Sequence, residues 1–182
     1  MSDEVARIPF SSGVRDLGIA NWVFCKLAAR RQRVPQAHLF TTLGQHKRLM
    51  WSWLPFGGML LYGGKLSRRD TEVVILRVAH LRNSEYEMQH HRRIARQALL
   101  DDATQARIFE GPGAEGLTDR QRVLLTATDE LLDTRTLSDP TWQALSQHLD
   151  RPRLIEFIML ATQYDALAAA LSALRVPLDF AE

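Results

Sequence analysis

Glu72, Glu87 and His91 fall within about twenty residues of one another in the segment SRRDTEVVILRVAHLRNSEYEMQHHRRIARQAL. Two carboxylates and an imidazole are the parts of a proton-transfer site if folding brings them together. His91 follows Glu87 by four residues, so on a helix the two share a face and their side chains can touch. A carboxylate beside an imidazole orients the ring and raises its basicity, which suits general acid or base work near neutral pH. The same spacing also describes an ordinary solvated pair worth roughly 0.3 kcal/mol. Glu72 stands in the apolar run TEVVILRVAHL, where a carboxylate needs a partner. Arg68 and Arg69 precede it by four and three residues, so Glu72 reads either as a site residue or as half of a structural pair.

Other residues nearby could assist. Tyr86 offers a phenolic hydroxyl as donor or acid, or packs between helices with that hydroxyl satisfied. Arg68, Arg69 and Arg77, with Ser84, are the candidates for holding a small anionic substrate. His90 is rotated about 100° from His91 on a helix and should face elsewhere. Glu72, Glu87 and His91 are also ligand types for zinc or iron, which keeps a metal-dependent enzyme as an alternative. Their spacing matches no signature such as H-E-x-x-H, so no metal is assigned. The glycines at 57, 58, 63 and 64 do not make a phosphate-binding loop, and no cofactor is implied.

The elements that must position these residues are helices, since the apolar periodicity is helical throughout. The pattern predicts a helix from Val14 to Arg31 with Leu17, Trp22, Phe24, Leu27 and Ala28 inward, then a short one from Pro35 to Gly44. The segment HKRLMWSWLPFGGMLLYGG predicts a helix interrupted or kinked near Leu54, at Pro55, and stopping at Gly63-Gly64. Ser67 with Asp70 reads as an N-cap for a central, mostly buried helix over 71–81, whose stripe is Val74, Ile75, Val78 and Ala79. Ser84 and Glu87 have the spacing of a capping box opening the next helix, to about Leu99. Asp101, Thr118 and Ser138 begin three further helices, and an apolar helix runs from Pro152 to Leu174. The expectation is one all-α domain over 1–182, a compact multi-helix bundle with an N-terminal helical extension over about 1–35.

Composition excludes several function classes. The 182 residues are 46% apolar, enough for one buried core. Lys and Arg exceed Asp and Glu by only 23 to 21, spread along helical faces, so no nucleic-acid footprint is expected. The single cysteine, Cys25, allows no disulfide framework and fits a reducing cytoplasm. The N-terminus MSDEVARIPFSSG is unlike a secretory signal, and no run reaches about 18 uninterrupted apolar residues, so a soluble, cytoplasmic protein without membrane attachment is expected.

The run R-x-x-E-V-V-I-L-R-V-A from Arg69 to Ala79, then S-E-Y-E-x3-H from Ser84 to His91, resembles the carboxymuconolactone decarboxylase and alkylhydroperoxidase-D-like superfamily. An L-F-x-T-L motif at Leu39, L-T-D at Leu117 and the late Tyr164 are similar to its longer branch. The resemblance implies the alkylhydroperoxidase-D-like fold and a homo-oligomer, a trimer or hexamer with a dimer possible. Peroxidase members carry two cysteines where this chain has Ser84 and Glu87, so the resemblance implies no thiol peroxidase activity here. Decarboxylase members look similar in their E-x3-H, matched by Glu87 and His91. That implies a cofactor-independent lyase or isomerase acting on a small carboxylic acid or lactone, with His91 moving the proton, Glu87 orienting it, and Glu72 or Tyr86 assisting. A non-catalytic oligomeric binding or scaffold member is the alternative.

Overall fold

A computed structural model of the chain describes residues 6–180. The opening MSDEV, on which the reading of the N-terminus partly rests, lies outside the described residues. Among the described residues there are no strands, as expected of an all-α fold. The helices are α1 (Val14–Gln32), α2 (His38–Leu43), α3 (Lys47–Gly58), α4 (Arg68–Leu81), α5 (Glu85–Gln97), α6 (Asp102–Glu110), α7 (Asp119–Thr134), α8 (Asp139–His148) and α9 (Arg151–Leu174), with a π-helical turn at Met59–Gly63. The described residues divide into two compact units, one within Met1–Gly58 and Ala170–Glu182, the other Met59–Ala169.

The larger unit is built on α4. The Ser67 hydroxyl accepts the Asp70 N–H at 3.1 Å, and the helix follows immediately, starting at Arg68 and not at 71. Val73, Val74, Ile75, Leu76, Val78 and Ala79 are all fully buried, so α4 is enclosed around its whole circumference and not only on the expected stripe. It packs against α5, α6 and α7, and α8 lies on α7. Complete burial of each Val, Ile or Leu contributes about 1.5–3 kcal/mol. Gly111, after α6, has φ of +116°, and a Cβ there would stand 3.0 Å from Arg77 Nη2; glycine alone allows both the turn and that close approach.

Helix α9 has the length and composition of a membrane-crossing segment, 24 residues containing an 18-residue window of mean hydropathy 1.4. Within the larger unit it behaves as a core helix: Leu154, Phe157, Leu160 and Ala161 are buried. Its carboxylates are tied to the protein, Glu156 accepting the Lys65 N–H at 2.6 Å and Asp165 bridging two arginines. The break expected near Leu54 is displaced. Helix α3 runs through Pro55, which forfeits one backbone hydrogen bond, and the irregularity emerges just beyond, as the π-turn.

In the smaller unit α1, α2 and α3 pack on one another. The inward face of α1 differs from the expected one. Gly18, at φ 75° and ψ 161°, interrupts the helix. Leu17, Asn21, Cys25 and Ala29, four residues apart, are buried, whereas Leu27 is 62% exposed. The Asn21 amide holds this face inward by donating to the Gly44 carbonyl at 2.7 Å, where α2 ends. Near the end of the chain, Asp179 accepts the His38 backbone N–H at 2.8 Å.

Candidate active site

Helix α4 places Glu72 in the centre of the larger unit, with no solvent exposure. Arg68, one turn earlier on the same face, brings Nη2 to 3.0 Å from Glu72 Oε1. Its Nη1 donates to the Leu61 carbonyl in the π-turn, and its guanidinium lies 4.8 Å from the Tyr62 ring centroid. The π-turn therefore anchors the arginine that neutralises Glu72.

Helix α5 delivers the imidazole. Glu87, His91 and Ala95 recur at four-residue intervals and are all buried, which defines its inward face. His91 Nδ1 lies 2.7 Å from Glu72 Oε2. The partner that orients His91 is thus Glu72, from the neighbouring helix, and not Glu87 as the four-residue spacing implied. A carboxylate is acceptor-only, so Nδ1 carries the proton of this bond and Nε2 is left for other work.

Glu87 does something else. It is 2% exposed and neither carboxylate oxygen has a hydrogen-bond partner. Burial pushes its pKa up to about 7, against the opposing influence of the Ser84 hydroxyl and the His91 ring, while the Asp165 charge adds to the rise. The expected capping box is absent. Ser84 makes no side-chain cap bond, and its backbone N–H, the group a capping glutamate would reach, is already given to the Ala79 carbonyl at 2.9 Å.

Two residues from α9 complete the neighbourhood. The Tyr164 ring meets His91 edge to face at 5.1 Å. Burial, then the charges of Glu72 and Glu87, hold its hydroxyl well above the ordinary phenol range against the pull of Arg68, so Tyr164 is a neutral donor. Asp165 pairs with Arg82 and Arg135. Partial burial raises its pKa, but the two guanidiniums prevail and keep it below the usual carboxylate range. Sequence reasoning left both outside the site. Their signal was a polar pair inside an otherwise apolar helix.

The remaining candidates divide. Tyr86 is buried, but its ring lies tilted against His90 at 4.8 Å, and the tyrosine whose ring meets His91 is Tyr164. Arg77 is turned away: it holds both Asp129 oxygens, at 2.6 and 2.7 Å, and the Ile108 and Phe109 carbonyls, which corrects the expectation that it steers substrate. Arg69 is exposed and within electrostatic reach of Asp101. Of the three arginines only Arg68 contacts the Glu72–His91 pair. Among the described residues no group of three or more His, Cys, Asp or Glu is arranged to hold a metal ion.

The model of the carboxymuconolactone decarboxylase family matches residues 47–130, a span that holds Arg68, Glu72, Ser84, Glu87 and His91 and stops short of Tyr164. No curated protein matches the chain. Among solved structures it is similar to an uncharacterized peroxidase-related protein from Ralstonia eutropha JMP134 with an alkylhydroperoxidase AhpD core, at TM-score 0.83 and 12% identity, covering 97% of this chain and 94% of that one. An uncharacterized peroxidase-related protein from Silicibacter sp. TM1040 aligns with TM-score 0.82 and 14% identity over 96% of this chain and 92% of its own. A protein of unknown function from Agrobacterium tumefaciens aligns at 0.65 and 12% over 72% and 91%. At these identities the likeness is one of fold.

Proposed function

Starting from a chain that belongs, through residues 47–130 and its fold, to the carboxymuconolactone decarboxylase and alkylhydroperoxidase-D-like superfamily, we propose a cofactor-independent acid/base enzyme. Its substrate is a small carboxylic acid or lactone, decarboxylated or isomerised. The observation that supports this most is the 2.7 Å bond between His91 Nδ1 and a Glu72 carboxylate shut off from solvent. Glu72 fixes the ring and its tautomer, so Nε2 can take a proton or deliver one. In a decarboxylation the bond from carbon to the carboxylate breaks, its electron pair passes into an adjacent carbonyl as an enolate, and Nε2–H of the imidazolium protonates carbon. In an isomerisation Nε2 removes a proton from one carbon and returns it to another. Glu87, whose pKa is raised to about 7 by burial, in its protonated form supplies a hydrogen bond or a proton to the carbonyl oxygen on which charge develops. Arg68 provides the positive potential that favours an anionic substrate.

A thiol peroxidase cycle has no place in this reading. Cys25 is the sole cysteine and is buried, and burial pushes its thiol up to about 11, away from the thiolate such a cycle needs. A free buried thiol also suits a soluble, cytoplasmic enzyme. Ile155 and Met159 on α9 and Met59 and Tyr62 in the π-turn leave apolar surface exposed. We assign it to contact between copies in a homo-oligomer, a trimer or hexamer.

Deuterium incorporation from D2O tests the proposal without knowledge of the natural substrate. The protein should label the carbon alpha to the carbonyl in a member of a panel of unsaturated lactone acids, read by proton NMR. His91→Ala should slow labelling by about 10²–10⁴-fold, and Glu72→Gln should act in the same direction. Labelling at the full rate in His91→Ala would remove His91 from the mechanism.

A further inference from the structure

Charge is distributed unevenly along the chain. Residues 1–58 contain eight Lys and Arg against three Asp and Glu, whereas residues 59–182 contain fifteen against eighteen. Asp3 and Glu4 precede the described residues, and the only acid over residues 6–58 is Asp16, which accepts a hydrogen bond from Ser11 at 2.7 Å. The even spread read from the total composition therefore conceals a basic first third.

That basic region also exposes apolar surface. Beyond the break at Gly18, Ile19, Val23 and Leu27 recur every four residues along α1 with exposures of 74%, 42% and 62%. Arg31 continues the same row, and Lys26 and Arg30 flank it, all exposed. The patch extends onto α3. The Trp51 ring meets Phe24 of α1 edge-on at 6.0 Å and is itself about half exposed, beside exposed Arg48 and Leu49. Lys47 closes the gap between the helices, its aliphatic stem lying 3.2 Å from where a Gly18 Cβ would be. One face of the smaller unit thus combines an aliphatic row, a half-exposed tryptophan and a rim of cations.

We propose that this face docks on the surface of an anionic lipid bilayer. The apolar row is the part that enters the headgroup boundary, the basic rim answers the negative surface potential, and tryptophan is suited to the interface because its ring is apolar and its N–H polar. A purely apolar partner would leave the cations unanswered, and a polyanion such as nucleic acid would leave Ile19, Val23 and Leu27 unanswered. An anionic bilayer satisfies both. The attachment is peripheral and reversible, and the chain remains water-soluble away from the membrane.

The test is co-sedimentation of the full chain with vesicles of phosphatidylcholine alone and of phosphatidylcholine with phosphatidylglycerol, at low and at physiological salt. Tryptophan emission and light scattering are read in parallel. Binding to the anionic vesicles, weakened by salt and accompanied by a blue shift lost in Trp51→Tyr, is the expected result. Arg30→Ala and Arg31→Ala should each weaken binding about fivefold. Ile19→Glu with Leu27→Glu should abolish it while circular dichroism remains unchanged. No binding to anionic vesicles, or binding indifferent to these substitutions, overturns the proposal. A fall in oligomeric mass in Ile19→Glu with Leu27→Glu, without any vesicle binding by the parent chain, also overturns it and gives the face to a second copy.

Discussion

One unit of this chain buries ionisable groups in its core, and the other sets an exposed aliphatic row within a rim of cations. In Met59–Ala169 the side chains that break the ordinary rule are Glu72, Glu87 and His91, ionisable groups in a dry core. In the N-terminal unit they are Ile19, Val23 and Leu27, aliphatic groups in water. Each exception works against stability, since a buried charge must be compensated and an exposed aliphatic row favours association. The contrast separates two kinds of work: moving protons needs exclusion of water, whereas docking needs a surface that water covers poorly.

Breaking the compensation in the larger unit should have the largest effect. Arg68→Ala leaves Glu72 without its cation in a fully buried position and should cost about 3–5 kcal/mol, measured by urea unfolding. Pairing Arg68→Met with Glu72→Gln removes both charges and should recover most of that loss. A cost below about 1 kcal/mol for Arg68→Ala would mean that Glu72 carries no charge in the fold, and the contrast between the units would fail there.

Glu87 gives a smaller effect with a definite sign. Its pKa is about 7 in the fold against an ordinary 4.5, so between those values the folded protein binds the proton more tightly than the unfolded chain. The stabilisation from this proton is complete below pH 4.5, is lost as pH rises to 7, and is absent above. The span corresponds to about 3 kcal/mol, to order of magnitude. Glu87→Gln keeps the shape without the charge, so it should stabilise the protein at pH 8 and change little at pH 4. Equal effects at the two pH values would show that the carboxyl is not desolvated.

How much of this was legible in the sequence depends on what each residue answers to. Helix α4 was legible because Ser67 and an unbroken apolar run both specify it, and neither depends on distant partners. The nearness of Glu72 and His91 was legible as chemistry, but their bond was not: it joins two helices across nineteen positions, and the four-residue spacing favoured the wrong carboxylate. Glu87 fitted a capping box by position, but the Ser84 N–H it would have to reach is spent on the Ala79 carbonyl of α4, a bond that spacing does not show. Tyr164 lies 73 positions after His91 and no local pattern links them. Helix α1 was misread because the row that turns inward after Gly18, Asn21, Cys25 and Ala29, consists of small or polar side chains, so hydrophobicity pointed to the larger Trp22, Phe24 and Leu27 instead.

The inward face of α1 supplies the smallest effect, and the one that sharpens the comparison most cheaply. Were Leu27 inward, as hydrophobicity expects, Leu27→Ala would cost about 2–5 kcal/mol as core truncations do. With Asn21, Cys25 and Ala29 inward and the Asn21 amide held by the Gly44 carbonyl, Leu27 points to solvent, and the same substitution should stay within about 0.5 kcal/mol. Leu17, one residue before the break and 1% exposed, should show the large value instead. Parallel unfolding curves for Leu17→Ala and Leu27→Ala therefore measure the phase of the helix directly. If Leu27 proves the costly one, the aliphatic row faces inward, the basic unit has no apolar docking face, and the division of labour between the two units disappears with it.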